Sequence, residues 1–374
     1  MKTLYIIAKG LNKLPDDEIK ALEKENRHPR VSLLEEALSA DVLDERYLAE
    51  NVPVFRRWLY KFLPVGIAQV FEALFLQKYY DVIFTHSERV GLPLAFMMKY
   101  LRLKTPHVMI VSRITSMYEK KSRQKMWLLN HTKDALSRIL IWSSVQRGIA
   151  INQLGVQPEK IKLIKRGTDQ RFWHPKPAKT DMICSVGMEM RDYPTLVEAL
   201  RPLDIPCHIA VGAARGQIFE TVKKLYNIEE IPQNIEIGPK PYEELREMYS
   251  RCRFAVVSLL PTDSDNGLTA ILEAMAMGKA VICTRVEGQV DVIQDGKTGI
   301  FVPQGDPAAM RKAIQELWND PERAEKMGAA ARNYVEENHS VEQFVEAISS
   351  EIYDVADTQQ IIDKQSVEKL EVET

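Results

Sequence analysis

Two carboxylates and a glycine lie within a short stretch at residues 261–284, PTDSDNGLTAILEAMAMGKAVICT. Asp265 lies in a polar loop, and Glu273 follows eight residues later inside a predicted helix. The first turn of a helix has unpaired backbone N–H groups at its positive end and can therefore bind phosphate. The amides in question are those of Gly267, Leu268 and Thr269. Carboxylates repel phosphate but accept hydrogen bonds from hydroxyls, so the pattern indicates a phosphate flanked by sugar and ribose.

Short apolar runs alternate with helical patterns along both halves of the chain, as is typical of parallel sheets. In the first half the runs are 4–8, 82–85, 108–111, 139–142 and 161–164. In the second half they are 182–186, 208–211, 235–237, 254–259, 280–283 and 300–302, with helical patterns at 193–200, 242–249 and 308–318. The predicted fold class is therefore α/β, with a Rossmann-like sheet in each half.

The 374 residues are enough for two domains of ordinary size. The segment IKRGTDQRFWHPKP, residues 164–177, combines a glycine turn, two aromatic residues and two prolines, which is typical of an ordered hinge. We therefore predict one domain at 1–170 and a second at 171–340. Residues 341–374 are predicted to form a helix that returns to the first domain, followed after about residue 354 by a polar, acidic tail that is frayed or disordered.

Composition indicates a soluble globular protein, with 45% hydrophobic and 27% charged residues. The four cysteines are isolated in the sequence, and we interpret them as buried reduced thiols. No apolar run approaches the roughly 20 residues of a membrane span, and the N-terminus does not resemble a signal peptide. These observations predict a cytoplasmic location.

The charge is unevenly distributed. Residues 1–170 contain 28 Lys and Arg against 18 Asp and Glu, a balance of +10, although the whole chain has a net charge of -2. Basic residues also mix with aromatic ones at 55–75 and 118–127. This half could contact an anionic membrane surface, an anionic lipid or a lipid-linked acceptor. A solvated charged face above an ordinary helical core would give the same pattern.

Four motifs in the second half carry a family resemblance: GTDQRFWHP, SVGMEMRDYPTLVEAL, PTDSDNGLTAILEAMAMGKAV and DVIQDGKTGIFVPQGD. In this order and spacing, from about residue 162 to 317, they resemble the nucleotide-binding half of the retaining glycosyltransferases of family 4, which have the GT-B fold. The first half resembles the family only loosely. The resemblance implies two Rossmann-like domains facing each other across a cleft, with the acceptor held by the first and the sugar nucleotide by the second.

The resemblance also implies roles for individual residues. Glu273 would bind the ribose hydroxyls, and Asp265, where the family usually has glutamate, would contact the donor sugar. Arg191 corresponds to a lysine of the family that contacts the diphosphate, while Met188 occupies the position of the family's arginine. The remaining donor-site residues would be Gly187, Asn266, Gly267, Leu268 and Thr269.

Other residues have supporting roles in this interpretation. Glu189 would orient Arg191 or contact the acceptor, Asp291 would brace the phosphate site, and Ser112 occupies the position of a histidine that lies against the donor sugar. His86, at the end of another strand, is an alternative catalytic histidine or a structural residue. The candidates for a second phosphate-binding cation are Arg166, Arg215 and Lys240.

The activity implied by the resemblance is transfer of a hexose-type sugar, with retention, from a UDP- or GDP-sugar to a glycan, lipid-linked or small-molecule acceptor. It would serve polysaccharide or glycolipid synthesis, with no metal, no cofactor and no nucleic-acid partner. The alternatives are a nucleotide-sugar epimerase or a phosphorylase of the same fold, or a non-catalytic nucleotide-sugar binding protein. The predicted location is the cytoplasm, with peripheral contact at the inner face of the membrane as an option.

Overall fold

The computed structural model describes residues 1–9, 14–112, 123–211, 220–262 and 264–372, with only the backbone at residue 125 and at residues 362–372. The contacts divide the chain into two compact units. Unit 1 comprises Met1–Leu14, Val31–Ile164 and Val345–Thr374, and unit 2 comprises Pro15–Arg30 and Lys165–Phe344. Each unit contains a six-stranded sheet in which all strands are parallel. The predicted α/β class with two Rossmann-like sheets is therefore confirmed.

The sheet of unit 1 has the strand order β2-β1-β3-β4-β5-β6. Its strands are β1 Thr3–Ile6, β2 Asp41–Leu43, β3 Val82–Thr85, β4 His107–Ile110, β5 Arg138–Ile141 and β6 Ile161–Leu163. Every residue of β1, β3 and β4 is buried, as expected for parallel strands that are covered on both faces. The first of these strands was predicted from its apolar run, whereas the three-residue β2 was missed.

Helices cover both faces of this sheet and define two apolar clusters. The helices within unit 1 are α2 Leu33–Ala37, α3 Glu45–Glu50, α4 Val54–Tyr60, α5 Val65–Leu76, α6 Glu88–Tyr100, α7 Arg123–Thr132 and α8 Ser144–Asn152. Short 3₁₀ turns lie at Gln77–Tyr79 and Pro158–Lys160. The crossovers between successive parallel strands thus run through helices, the connection that parallel strands require.

The sheet of unit 2 has the strand order β12-β11-β10-β7-β8-β9. Its strands are β7 Met182–Val186, β8 Cys207–Ala210, β9 Ile235–Gly238, β10 Cys252–Val257, β11 Ala280–Thr284 and β12 Gly299–Val302. The helices are α9 Tyr193–Leu200, α10 Glu220–Tyr226, α11 Tyr242–Arg251, α12 Leu268–Ala276, α13 Pro307–Asn319 and α14 Pro321–Asn338. All four cysteines are buried in this unit without disulfides, as predicted.

Unit 2 also includes a segment from near the N-terminus, with helix α1 at Asp16–Lys24. Arg30 fixes this segment through a 2.6 Å ion pair with Asp169 and a 2.8 Å ion pair with Glu342. The backbone carbonyl of Asn26 accepts a hydrogen bond from Arg246. Sequence patterns placed all of residues 1–170 in one domain, and they contain no signal for contacts that join such distant positions.

The last helix, α15, covers Val341–Val372, and its residues from Val345 onward belong to unit 1. The side chains of Ile348 and Ile352 in this helix are fully buried. Arg138 binds the carboxylates of Glu351 and Asp354 at 3.0 and 2.5 Å. The helix therefore continues past residue 354, where the sequence predicted a frayed or disordered tail.

Candidate functional site

Two loops of unit 2 begin side by side because β7 and β10 are neighbours in a parallel sheet. They are joined by hydrogen bonds from Leu260 N to Met190 O (3.0 Å) and from Asp192 N to Ser258 O (3.1 Å). From β7 the chain proceeds to β8 on one side, whereas β10 and β11 lie on the other side. This is a topological switch point, and in open α/β sheets ligands bind there, outside the carboxyl ends of the strands.

Helix α12 begins at this switch point, and its first residue follows Gly267, which has φ = 91°. This left-handed conformation favours glycine, and a Cβ here would lie 3.1 Å from Val257. No described side chain caps the helix. The amide of Leu268 donates to the Asp265 carbonyl at 3.1 Å, so that predicted phosphate donor is already engaged. The amides of Gly267 and Thr269 are the remaining candidates for binding an anion.

The loop before α12 is held in shape by its own polar groups. Asn266 Oδ1 accepts hydrogen bonds from the hydroxyls of Thr262 (2.8 Å) and Ser264 (2.5 Å). Gln289 Nε2 donates to the Asn266 carbonyl at 2.9 Å. Asn266 was predicted to contact the donor, but in this structure its side-chain oxygen organises the loop.

Glu273 is only 7% exposed, and its neighbours in the helix, Leu272 and Ala274, are apolar and buried. Its Oε2 accepts a hydrogen bond from Tyr249 OH at 3.2 Å. Burial raises the pKa of Glu273 to about 8, although this hydrogen bond and the charges of Arg191 and Arg166 favour the ionised form. A buried carboxylate with a perturbed pKa at a switch point is typical of a functional site.

Asp265 forms an ion pair with Arg166, with Nη1 and Oδ2 3.2 Å apart. The Asp265 side chain is 13% exposed and that of Arg166 38%. The Arg166 carbonyl accepts a 2.7 Å hydrogen bond from His339 Nδ1, which fixes the backbone of this linker residue. The Arg166 charge also acts on Glu273, where it lowers the pKa against the larger effect of burial, which raises it.

Arg191 is 5% exposed and its guanidinium turns back onto its own loop. Nε and Nη2 donate to the Val186 carbonyl at 3.0 and 2.9 Å, and Nη1 donates to the Glu189 carbonyl at 2.9 Å. Gly187 has φ = 122°, and a Cβ there would collide with this guanidinium. Arg191 therefore shapes the loop after β7, and its predicted contact with the diphosphate stays a prediction.

The other predicted support residues occupy varied positions in unit 2. Lys240 follows β9 and lies 3.7 Å from Glu244. Asp291 is exposed, and its carbonyl accepts from Tyr334 OH at 3.4 Å. Met188, where the family has arginine, packs partly buried against the apolar core. Arg215 lies outside the described residues.

His86 and Ser112 belong to unit 1. His86 follows β3, and its Nδ1 lies 2.6 Å from the hydroxyl of the buried Tyr5. Ser112 follows β4, where its Oγ accepts from Trp142 Nε1 at 3.3 Å and its carbonyl accepts from Gln146 at 2.9 Å. Both residues lie at the carboxyl edge of the unit 1 sheet, and their predicted roles stay predictions.

Two residues of the unit 2 site have no counterpart among the sequence predictions. Tyr249 binds Glu273 from helix α11, 24 residues earlier in the chain, and Gln289 supports the loop from the segment after β11. The sequence assigned Tyr249 only to the helical pattern at 242–249. Neither partner could be found from spacing, because both contacts depend on the packing of separate elements.

Comparison with known proteins identifies the class of this site. Residues 168–334 match the family of glycosyl transferases group 1. D-inositol 3-phosphate glycosyltransferase from Corynebacterium kroppenstedtii is 34% identical over 124 residues, which are 33% of this chain and 26% of the relative. The chain thus spans about a quarter of that relative's length.

Two solved structures resemble almost the whole chain. Sucrose-phosphate synthase from Thermosynechococcus elongatus has a TM-score of 0.73 and 17% identity, covering 93% of this chain and 97% of its own. Anabaena HepE in complex with UDP-glucose has a TM-score of 0.68 and 18% identity, covering 94% and 100%. The fold is therefore that of the GT-B glycosyltransferases. Unit 2 contains a glycosyl transferases group 1 domain, which includes the switch point, α12 and both carboxylates.

Proposed function

We propose that this protein is a glycosyltransferase that uses a nucleoside diphosphate sugar. The observation that carries the proposal is the arrangement at the start of α12. A helix start without a described side-chain cap and two carboxylates, Asp265 and the buried Glu273, lie within the residues that match the group 1 family, and Arg166 pairs with Asp265 from just before them. Such a helix start suits a diphosphate, and the carboxylates suit the hydroxyls on either side of it.

In this proposal Glu273 accepts hydrogen bonds from the two ribose hydroxyls of the nucleotide. Its pKa of about 8 means that much of it is protonated at neutral pH when no ligand is bound. Two hydroxyl donors favour the ionised carboxylate, so nucleotide binding releases a proton. Tyr249 holds the carboxylate in place through its hydrogen bond to Oε2.

Arg166 and Asp265 act on the sugar and diphosphate in this proposal. Departure of the nucleoside diphosphate leaves positive charge on the sugar and negative charge on the phosphates. Arg166, together with the amides of Gly267 and Thr269, stabilises the leaving group, while Asp265 binds a hydroxyl of the donor sugar. The transfer is proposed to proceed with retention and without a metal, with the leaving phosphate accepting the acceptor's proton.

A thermal-shift screen with UDP-, GDP- and ADP-sugars tests the donor site. We expect at least one nucleotide sugar to raise the melting temperature of the wild type, because a ligand that binds only the folded state stabilises it. Glu273→Ala should lose this response, whereas Arg171→Ala, which changes an exposed linker residue, should keep it. If no nucleotide stabilises the wild type, or if Glu273→Ala responds equally, the assignment is wrong.

The acceptor is proposed to be a glycan, a lipid-linked sugar or a small molecule, as in polysaccharide or glycolipid synthesis. An epimerase would convert the nucleotide sugar with no acceptor present, and a phosphorylase would require inorganic phosphate. A non-catalytic protein would bind the nucleotide sugar without consuming it. Product analysis with and without acceptor therefore separates these alternatives from the proposed transferase.

The proposed location is the cytoplasm, with unit 1 in peripheral contact with an anionic membrane. The four cysteines support this location, because buried thiols that form no disulfide fit a reducing compartment. In the described part of the chain, no helix is both long and apolar enough to cross a membrane. The proposed contact is therefore one of surface adsorption.

A further inference from the structure

Helices α4 and α5 of unit 1 expose large apolar side chains of a kind that is usually buried. Helix α4 has no buried residue, although five of its seven residues are aromatic or aliphatic. We define the α4–α5 surface by its exposed large apolar side chains. These belong to Val54, Phe55, Trp58, Leu59, Phe62, Val65, Phe71 and Phe75.

The exposure of these side chains is high. Phe55 and Phe62 are 71% and 73% exposed, and Trp58 is 56% exposed. Trp58 and Phe62 contact each other edge to face, with 5.3 Å between ring centroids, so they form a continuous aromatic ridge. Single exposed apolar residues are common, but a contiguous group of this kind marks an interaction surface.

The charges around the ridge determine which partner fits. Within residues 53–76 the only acidic side chain is Glu72. Glu72 is 1% exposed and accepts hydrogen bonds from Arg56 Nη2 and Tyr60 OH, both at 3.0 Å. Its negative charge is thus buried and matched by Arg56, which also lies over the Phe75 ring.

The other two cations of residues 53–76 are Arg57, which is half-buried, and Lys61. Lys61 is exposed, and Arg57 donates to the backbone carbonyls of Glu50 and Val52, which hold its position without neutralising its charge. The ridge of Trp58 and Phe62 is therefore accompanied by cations. Aromatic rings with adjacent Lys and Arg suit the boundary between anionic headgroups and acyl chains.

We propose that the α4–α5 surface docks unit 1 onto an anionic lipid bilayer. Trp58, Phe62 and Phe55 enter the boundary region, and Arg57 and Lys61 contact the headgroups. A second copy of this chain suits the surface less well, since a two-fold interface would bring the same cations of both copies together. The proposal rests on the membrane contact proposed above for unit 1 and assigns it to a surface. Its test is independent of sugar transfer, because adsorption requires neither donor nor acceptor.

Vesicle flotation of the full-length protein without nucleotide tests the proposal. Vesicles of phosphatidylcholine are compared with vesicles that also contain phosphatidylglycerol, each at low and high salt. We expect binding only to the anionic vesicles and weaker binding at high salt, because salt screens exposed charges. Trp58→Ser with Phe62→Ser should reduce binding by more than about tenfold, and Lys61→Gln by about fivefold.

The matched control is Tyr226→Ser, which removes an aromatic ring of similar exposure (57%) from unit 2. It should bind vesicles like the wild type, and all variants should melt at the wild-type temperature. Three results would overturn the proposal. They are no binding of the wild type to anionic vesicles, equal binding to both vesicle types, and unchanged binding after loss of Trp58 and Phe62. A wild-type dimer that these two substitutions dissociate, without any vesicle binding, would assign the surface to a second copy instead.

Discussion

Unit 2 buries a carboxylate, whereas unit 1 exposes aromatic rings. Glu273 is 7% exposed in the helix that begins at Gly267, while Trp58 and Phe62 are 56% and 73% exposed on the α4–α5 surface. Folding alone favours an exposed carboxylate and buried rings. A buried charge loses its hydration, and an exposed ring does not gain the free energy of leaving water. Both departures are understandable if each region binds something outside the chain.

The two regions differ in how precisely they define their ligand. At Glu273 the surrounding hydrogen bonds and charges are specific, with Tyr249 at 3.2 Å and Arg166 paired to Asp265. At the α4–α5 surface the buried carboxylate of Glu72 is already bound by Arg56 and Tyr60, so what this surface presents to a partner is apolar side chains and positive charge. A directional polar site recognises one chemical group, whereas an apolar surface with adjacent cations recognises a type of environment.

The largest expected effect comes from breaking the helix start in unit 2. Gly267→Val places a β-branched residue at φ = 91°, with its Cβ 3.1 Å from Val257. We expect nucleotide affinity to fall by more than about 100-fold, because the amides move away from the phosphate, and stability to fall by about 1–2 kcal/mol or more. Titration calorimetry and thermal unfolding measure the two effects.

Gly305→Ala is the control for Gly267→Val. Gly305 also has a positive φ, 61°, but no heavy atom lies within 4 Å of its virtual Cβ. Its substitution should lower stability by about 1 kcal/mol and leave nucleotide affinity unchanged. Equal loss of affinity in both variants would mean that general destabilisation, rather than the anion site, is responsible.

Glu273→Gln should change how stability depends on pH. In the wild type the pKa of Glu273 is about 8 when folded, above its usual 4.5. The contribution of Glu273 to the free energy of unfolding is therefore fully present below about pH 4.5. It decreases as the pH rises to about 8, by up to a few kcal/mol. Glu273→Gln should lack this decrease, which urea unfolding at several pH values can detect. Parallel profiles for the two proteins would show that Glu273 does not titrate in this range.

Arg166→Ala should weaken donor binding by about tenfold, because it removes a partly buried charge contact with Asp265 and a cation of the phosphate site. It should also raise the pKa of Glu273, since Arg166 lowers it in the wild type. The affinity of a nucleotide should therefore reach its plateau at higher pH than in the wild type. An unchanged affinity–pH profile would remove Arg166 from the site.

The smallest effect is expected on the α4–α5 surface. Lys61→Gln should reduce the salt dependence of vesicle binding and lower the affinity for anionic vesicles by about fivefold. Nucleotide affinity should not change. A loss of nucleotide binding in this variant would mean that the two regions are energetically coupled, contrary to their separate assignment.

The sequence predicted the strands and the site motif because both depend on local patterns. The runs at 82–85 and 182–186 coincide with β3 and β7, and Gly267 directly precedes the first residue of α12, as its position indicated. β2 was missed because its two apolar residues, Val42 and Leu43, lie between Asp41 and Asp44 and form no longer apolar run.

Contacts between distant segments could not be predicted in this way. The assignment of Pro15–Arg30 to unit 2 depends on Arg30 meeting Asp169, 139 residues away. Likewise, the basic and aromatic residues at 55–75 allowed either a helical core or a binding surface. Only the packing of α4 shows that its apolar residues are not buried by unit 1.

The most direct measurement of the central claim is calorimetric titration of the wild type and Glu273→Gln with UDP-glucose and GDP-sugars, in buffers of different ionisation enthalpy. We predict that the wild type binds one of these nucleotide sugars and releases a proton near pH 7, because the ribose hydroxyls favour the ionised carboxylate. Glu273→Gln should bind about 100-fold more weakly and release no proton from this position. Equal affinity of the two proteins, with the same proton release, would contradict the assignment of Glu273 to the ribose.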